Sequence, residues 1–175
     1  MSVSRLFDLS DRYRELYLEK PDALAGKVNG DWVKHSTRSF LENVELVSYG
    51  LLAMGLKKGE KIATLSNNRP EWNFVDLGMM QAGGIHVPIY PTISAADLKF
   101  ILTDAEVKYI FVSSQELWDK VEPVAKELPG IQGIFTFDLI PGKPHWSEIT
   151  EKGKQHPAKA EIDALVNGAG FADRH

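Results

Sequence analysis

This sequence predicts an α/β fold: a mainly parallel sheet flanked by helices on both faces, preceded by an amino-terminal helix and a β-hairpin. Two observations carry the prediction. Four short apolar runs, at residues 61–66, 85–90, 107–112 and 131–137, are separated by three longer stretches with one-faced helical spacing, the alternation that builds parallel sheets through right-handed crossovers. The clearest run, 107–112, is also apolar at five of its six positions rather than alternating, as a strand covered on both faces should be.

The elements follow in order. Over residues 3–19, Leu6, Leu9, Tyr13, Leu16 and Tyr17 fall at helical spacing, and Pro21 closes the segment because proline disfavours helix in the residue before it. Segments 23–28 and 31–35 flank Asn29-Gly30, the dipeptide that best tolerates the positive φ angles of a type I′ turn, so a β-hairpin is expected. Between 37 and 54, Phe40, Leu41, Val44, Val47, Leu51 and Leu52 form one apolar helical face, which Gly55 stops. A polar turn at 57–60 leads into the first buried run, with Ile62, Ala63 and Leu65.

Pro70 suits the first turn of the next helix, where its missing N–H costs nothing; Trp72, Val75, Leu77, Met79 and Met80 supply apolar surface, and Gly83-Gly84 ends it. Pro88 and Pro91 mark 85–90 as an edge strand or a strand end. Ser94 is placed to cap a helix carrying Leu98, Ile101 and Leu102, and Leu117, Val121, Val124, Ala125 and Leu128 mark another that runs to Pro129-Gly130. Pro141-Gly142-Lys143-Pro144 opens a looser stretch with a short outer helix over 146–154. Residues 1–165 are expected to form one partial domain. Residues 166–175, with two glycines and no periodicity, are expected to be an irregular tail whose native origin stays open.

Composition narrows the function classes. With 175 residues and 43% hydrophobic content the chain can bury a substantial core. Its net charge of -4 is not gathered into a block of either sign, which argues against a nucleic-acid partner. The absence of cysteine excludes disulfides and thiolate catalysis and permits a reducing compartment, with the cytoplasm as the simplest assignment. No apolar stretch reaches the roughly 20 residues of a membrane span, while peripheral membrane contact stays open.

In an open parallel sheet, ligands gather beyond the carboxyl ends of the strands, which directs attention to Asn67, Asn68 and Arg69, to Tyr90 and Thr92, and to Ser113 and Ser114. The structural alternative, and the favoured one, has the asparagines holding a turn while Arg69 pairs with Glu71 or Asp76. Gly83-Gly84 lies between helix and strand, the wrong order for a phosphate loop, and reads as a cap and a close-packing point. His35, His86, His145, His156 and His175 lack the spacing of a helical metal site; His86, between Ile85 and Val87, reads as a satisfied core histidine rather than an acid or base. Trp72, Met79 and Met80 read as core rather than as an acyl groove. No catalytic, cofactor-binding or metal residue is assigned, and residue-level reasoning ends at an α/β domain without a reaction.

A resemblance carries the reading further. The segment from Trp32 through Phe40 to Ala63, the block Asn67-Asn68-Arg69-Pro70-Glu71-Trp72, and the block from Gln81 to Thr92 ending in Tyr90-Pro91-Thr92 resemble the opening motifs of long-chain fatty acyl-CoA synthetases, members of the adenylate-forming superfamily. The resemblance spans about residues 6–149. It implies a ligase that converts fatty acid, ATP and coenzyme A to acyl-CoA, AMP and pyrophosphate, with magnesium. The family's phosphate loop, of the type Y-T-S-G-T-T-G-x-P-K-G, would begin after Ala160 to Leu165 and does not occur, nor do the later nucleotide segments and the mobile carboxy-terminal domain. The resemblance therefore implies a fragment inactive by itself, with no cofactor of its own. Two alternatives stay open: a free-standing scaffold or homodimerising module, and a piece of a ligase acting on another acid. Acyl chain length is not readable.

Overall fold

The computed structural model describes residues 5–28 and 30–168. In chain order these form α1 (Asp8–Leu16), β1 (Leu24–Val28), β2 (Asp31–His35), α2 (Thr37–Ala53), β3 (Lys61–Leu65), α3 (Pro70–Gln81), β4 (Ile85–Ile89), α4 (Ala95–Asp104), β5 (Val107–Val112), α5 (Gln115–Lys126), β6 (Gly133–Thr136), α6 (Ser147–Gln155) and α7 (Lys159–Gly168). β1 and β2 pair antiparallel, with Val28 opposite Asp31. Gly30 takes φ +93° in the turn, the conformation glycine allows without steric cost; Asn29, the other half of the expected type I′ turn, lies outside the described residues.

β3 to β6 make one parallel sheet in the order β4-β3-β5-β6. Side chains alternate along its two central strands from Ile62 and Tyr109 onward, after an irregularity that leaves Val107 in the second core. Ile62, Tyr109 and Phe111 face a core shared with α2, α3, α6 and α7, while Ala63, Leu65, Ile110 and Val112 face a second core built with α4 and α5. Helices thus cover both faces. On the first face Phe111 stacks between Phe135 and Phe137 at centroid distances of 5.6 and 5.8 Å, which ties β5 to β6. β4 is an edge strand, so the N–H that Pro88 lacks is not missed by a neighbour on that side.

The expected start and stop signals operate as local chemistry. Ser36, Ser94 and Ser114 accept backbone N–H groups at the starts of α2, α4 and α5, and Pro70 occupies the first position of α3. Gly55, at φ +87°, ends the turn of chain after α2.

Three expectations are corrected. The amino-terminal helix spans only Asp8–Leu16, and its apolar face is divided: Leu6, Leu16 and Tyr17 are about half exposed, at 53%, 49% and 49%, whereas the residues α1 buries are Asp8 and Ser10. Arg5 holds Asp8 through its backbone N–H and its guanidinium, both at 2.8 Å, which makes that burial affordable. Second, α6 forms where a short outer helix was expected, but it is held more tightly than the loose stretch around it implied. A Cβ on Gly153 would stand 2.1 Å from the Leu46 carbonyl oxygen, and one on Gly50 would stand 2.0 Å from that of Ile149, so α2 and α6 meet backbone to backbone. Third, α7 continues to Gly168, into the stretch expected to be irregular, because Ile162 and Val166 reach the first core. The rest of that expected tail, 169–175, lies outside the described residues.

Candidate functional site

β3 is the point where the strand order reverses. The chain leaves it through α3 on one face toward β4, and leaves β5 through α5 on the opposite face toward β6, so a crevice opens between the carboxyl ends of β3 and β5. A cavity of about 300 Å³ occupies it, lined by Asn67, Asn68, Arg69, Ser113, Ser114 and Asp138. The hairpin forms its outer wall. Gly26 of β1 lies so near Pro70 that a Cβ would sit 2.6 Å from its ring, and His35 completes the lining on that side.

Arg69 organises the crevice. Its Nε and Nη2 donate to the Glu71 carboxylate at 2.9 and 3.0 Å, its Nη1 donates to Asp138 at 2.8 Å and to the Ser113 carbonyl at 3.2 Å, and the guanidinium lies 5.4 Å above the Phe137 ring. One side chain therefore joins the ends of β3, β5 and β6. Burial alone would raise the Glu71 carboxyl, yet the hydrogen bonds and charge of Arg69 outweigh it and hold the group below its ordinary range. Burial likewise works against the Arg69 charge and is outweighed by its two carboxylates, which lift its pKa further. Ser113 and Ser114 serve the scaffold: the first accepts the Asn67 N–H and the second the Leu117 N–H, both at 3.4 Å.

A second cavity, of about 430 Å³, lies beyond β3 and β4 and shares Asn67 and Asn68 with the first. Thr64, Trp72 and Tyr90 line it. Beneath it runs a chain of four side chains. Asp76 meets His86 Nδ1 at 2.6 Å, His86 Nε2 meets Thr64 Oγ1 at 2.8 Å, and Trp72 Nε1 donates to Thr64 Oγ1 at 3.0 Å. The parallel register makes this possible, because Thr64 and His86 point to the same face and α3 returns over both.

The residues singled out from sequence therefore divide into groups. Asn67, Asn68, Arg69, Ser113 and Ser114 come together in the crevice; Tyr90 joins the asparagines in the second cavity; Thr92 is exposed and lines neither. Arg69 takes Glu71, as expected, and Asp138 rather than Asp76, which is engaged with His86. His86 is the satisfied histidine that its apolar flanks suggested. Its two partners were not legible: Asp76 follows Trp72 by one helical turn, but only the register of β3 against β4 brings Thr64 alongside.

The sequence matches the family of AMP-binding enzymes over residues 17–167. The chain belongs to this family. The long-chain-fatty-acid–CoA ligase ACSBG2 of Xenopus laevis is 29% identical over 150 residues, covering 83% of this chain and 20% of that protein. ACSBG1 of Homo sapiens, also a long-chain-fatty-acid–CoA ligase, is 28% identical over 172 residues, covering 95% of this chain and 23% of its own length. The chain thus spans about a fifth of the curated relatives it matches. Among solved structures, a long-chain-fatty-acid–CoA ligase from Archaeoglobus fulgidus superposes with a TM-score of 0.71 at 22% identity, covering 85% of this chain and 30% of that one. The adenylation domain of a carboxylate reductase from Mycobacterium chelonae gives 0.75 at 18%, covering 87% and 29%. The shared fold is that of adenylate-forming enzymes.

The three motif blocks supply scaffold. The first builds β2, α2 and β3, the second the crevice loop and the start of α3, and the third β4. The crevice does not fit a nucleotide triphosphate with magnesium. Arg69 is committed to two carboxylates, the first turn of α3 carries Glu71 and begins with a proline that has no N–H to offer, and among the described residues no cluster of three or more His, Asp or Glu side chains could hold a metal ion. No helix of the described residues is long and apolar enough to cross a membrane.

Proposed function

We propose that the chain is the amino-terminal part of a long-chain fatty acid–CoA ligase, an enzyme that would join fatty acid to coenzyme A using ATP and magnesium in the cytoplasm, and that these 175 residues do not turn over by themselves. The match over residues 17–167, together with the ligase names of the relatives, carries this reading. Inactivity is supported by chemistry. Phosphoryl and acyl transfer need preorganised cations and N–H donors aimed at developing charge, and here the guanidinium at the crevice is already neutralised while no glycine-rich run precedes a helix.

The test is acyl-CoA formation by the purified chain with palmitate, ATP, magnesium and coenzyme A. No product is expected; sustained turnover would refute the inactivity. Joining the chain to the remainder of a related ligase should restore acyl-CoA synthesis, and failure of every such chimera on any acid would count against the ligase reading itself. A second reading, a self-associating scaffold, draws on exposed apolar side chains on edge strand β4, just after it and on α4, with Ile85 at 49%, Tyr90 at 85% and Phe100 at 69%. A strictly monomeric species in sedimentation would remove it.

A further inference from the structure

The cleft beyond β3 and β4 differs from the crevice beside it in charge. Trp72, Tyr90, Pro88 and Pro91 wall it, Thr64 forms its floor, Asn67 and Asn68 stand on its rim, and none of the residues lining it is charged. Behind the floor lies the pair of Asp76 and His86, whose side chains are only 14% and 10% exposed. Lys120 approaches the rim from α5, where the carbonyls of Pro91 and Ile93 hold its ammonium at 2.7 and 3.0 Å.

In the neutral imidazole the Asp76 carboxylate accepts from Nδ1, which leaves Nε2 as an acceptor toward which Thr64 turns its single proton. Trp72 fills one lone pair of Thr64 Oγ1. A hydroxyl oxygen has two, and the residue carrying the second lines the cleft. With the imidazole neutral, the Asp76–His86 pair also holds one net negative charge behind that oxygen.

We propose that this cleft binds a small organic ammonium ion with an apolar body. The N–H donates to Thr64 Oγ1 and to the side-chain carbonyls of Asn67 and Asn68, the charge is drawn by Asp76, and the body lies against the rings of Trp72 and Tyr90. A carboxylate or phosphate meets an acceptor, no lining cation and a negative pair. Around the His86 imidazole, α3 contributes Asp76 and Trp72 and β3 contributes Thr64; Asp76 is the ionisable group among them. The site stands apart from the ligase reading and does not depend on it.

The test is an NMR titration of the isotope-labelled 175-residue chain with benzylammonium chloride, following the indole N–H of Trp72 and the amide of Thr64. A saturable shift is expected, and benzoate should give none. Asp76→Asn keeps the hydrogen bond to His86 and removes the charge, and should weaken binding by about tenfold. Tyr90→Ala, at a side chain too exposed to affect folding, should weaken it by about threefold. No saturable shift with benzylammonium, unchanged affinity in an Asp76→Asn protein that keeps the wild-type spectrum, or benzoate binding in its place would each overturn the proposal. If Asp76→Asn does not fold, the Tyr90→Ala comparison and the benzoate arm decide.

Discussion

The two ends of the architecture are built on opposite terms. Where α2 meets α6, two glycines let backbones touch and leave no room for a methyl group; at the carboxyl ends of the strands, cavities of about 300 and 430 Å³ open between polar loops. The first region buries what the fold needs in order to exist, and the second exposes groups that the fold holds in place at some cost. Tolerance to substitution should differ accordingly, and four measurements test how sharply.

The largest effect is expected at the helix contact. Gly153→Ala gains the better helix former but drives its Cβ into the Leu46 carbonyl, so denaturant unfolding should show a loss of about 3 kcal/mol. A neutral result would mean that α6 slides freely on α2, and the contrast between the regions would vanish. Next comes Arg69→Met, which leaves Glu71 and Asp138 without their partner. Because Asp138 is 52% exposed, part of that cost is relieved by water, and a loss of about 2 kcal/mol is expected in the same assay.

The third measurement varies pH. The Glu71 carboxyl sits below its reference value of 4.5 in the folded chain, so its charge stabilises the fold above that value and the contribution fades as the pH falls through the lowered one. Wild type should therefore lose more stability than Glu71→Gln between about pH 5 and pH 3, by roughly 1 kcal/mol. Parallel curves would show that Arg69 does not hold this carboxylate. The smallest effect is expected for Asn68→Ala, on the exposed ridge between the cavities, where the change should stay within about 0.5 kcal/mol.

What could be read from the sequence follows the same division. The strands and the helices α2 to α5 were legible because their signals are local: Ser94 caps, Pro70 opens, Gly55 stops, and short apolar-rich runs mark the strands. The failures are tertiary. α6 carries mostly polar residues and looked peripheral, yet Gly153, an isolated glycine within a helix, was the sign of a close neighbour. α1 looked amphipathic, but its apolar positions are only partly covered while an aspartate is buried with its own arginine. Arg69 was expected to pair nearby, and did so with Glu71; Asp138, sixty-nine positions on, became a partner only because β6 lies beyond β5. The Asp76–His86–Thr64 chain was equally hidden, since each residue is unremarkable until parallel register and a returning helix align them.

The glycine contact between α2 and α6 also sets a clock. It joins Gly50 with a helix whose own glycine lies at position 153, so 153 − 50 = 103 residues must be made before both halves exist. At synthesis rates of about 5–20 residues per second, a nascent chain carries the side of α2 that α6 covers open for roughly 5–20 s. During that interval the backbone around Leu46 and Gly50, which α6 closes in the finished protein, is open to chaperones, and stalling synthesis before α6 emerges would prolong that exposure.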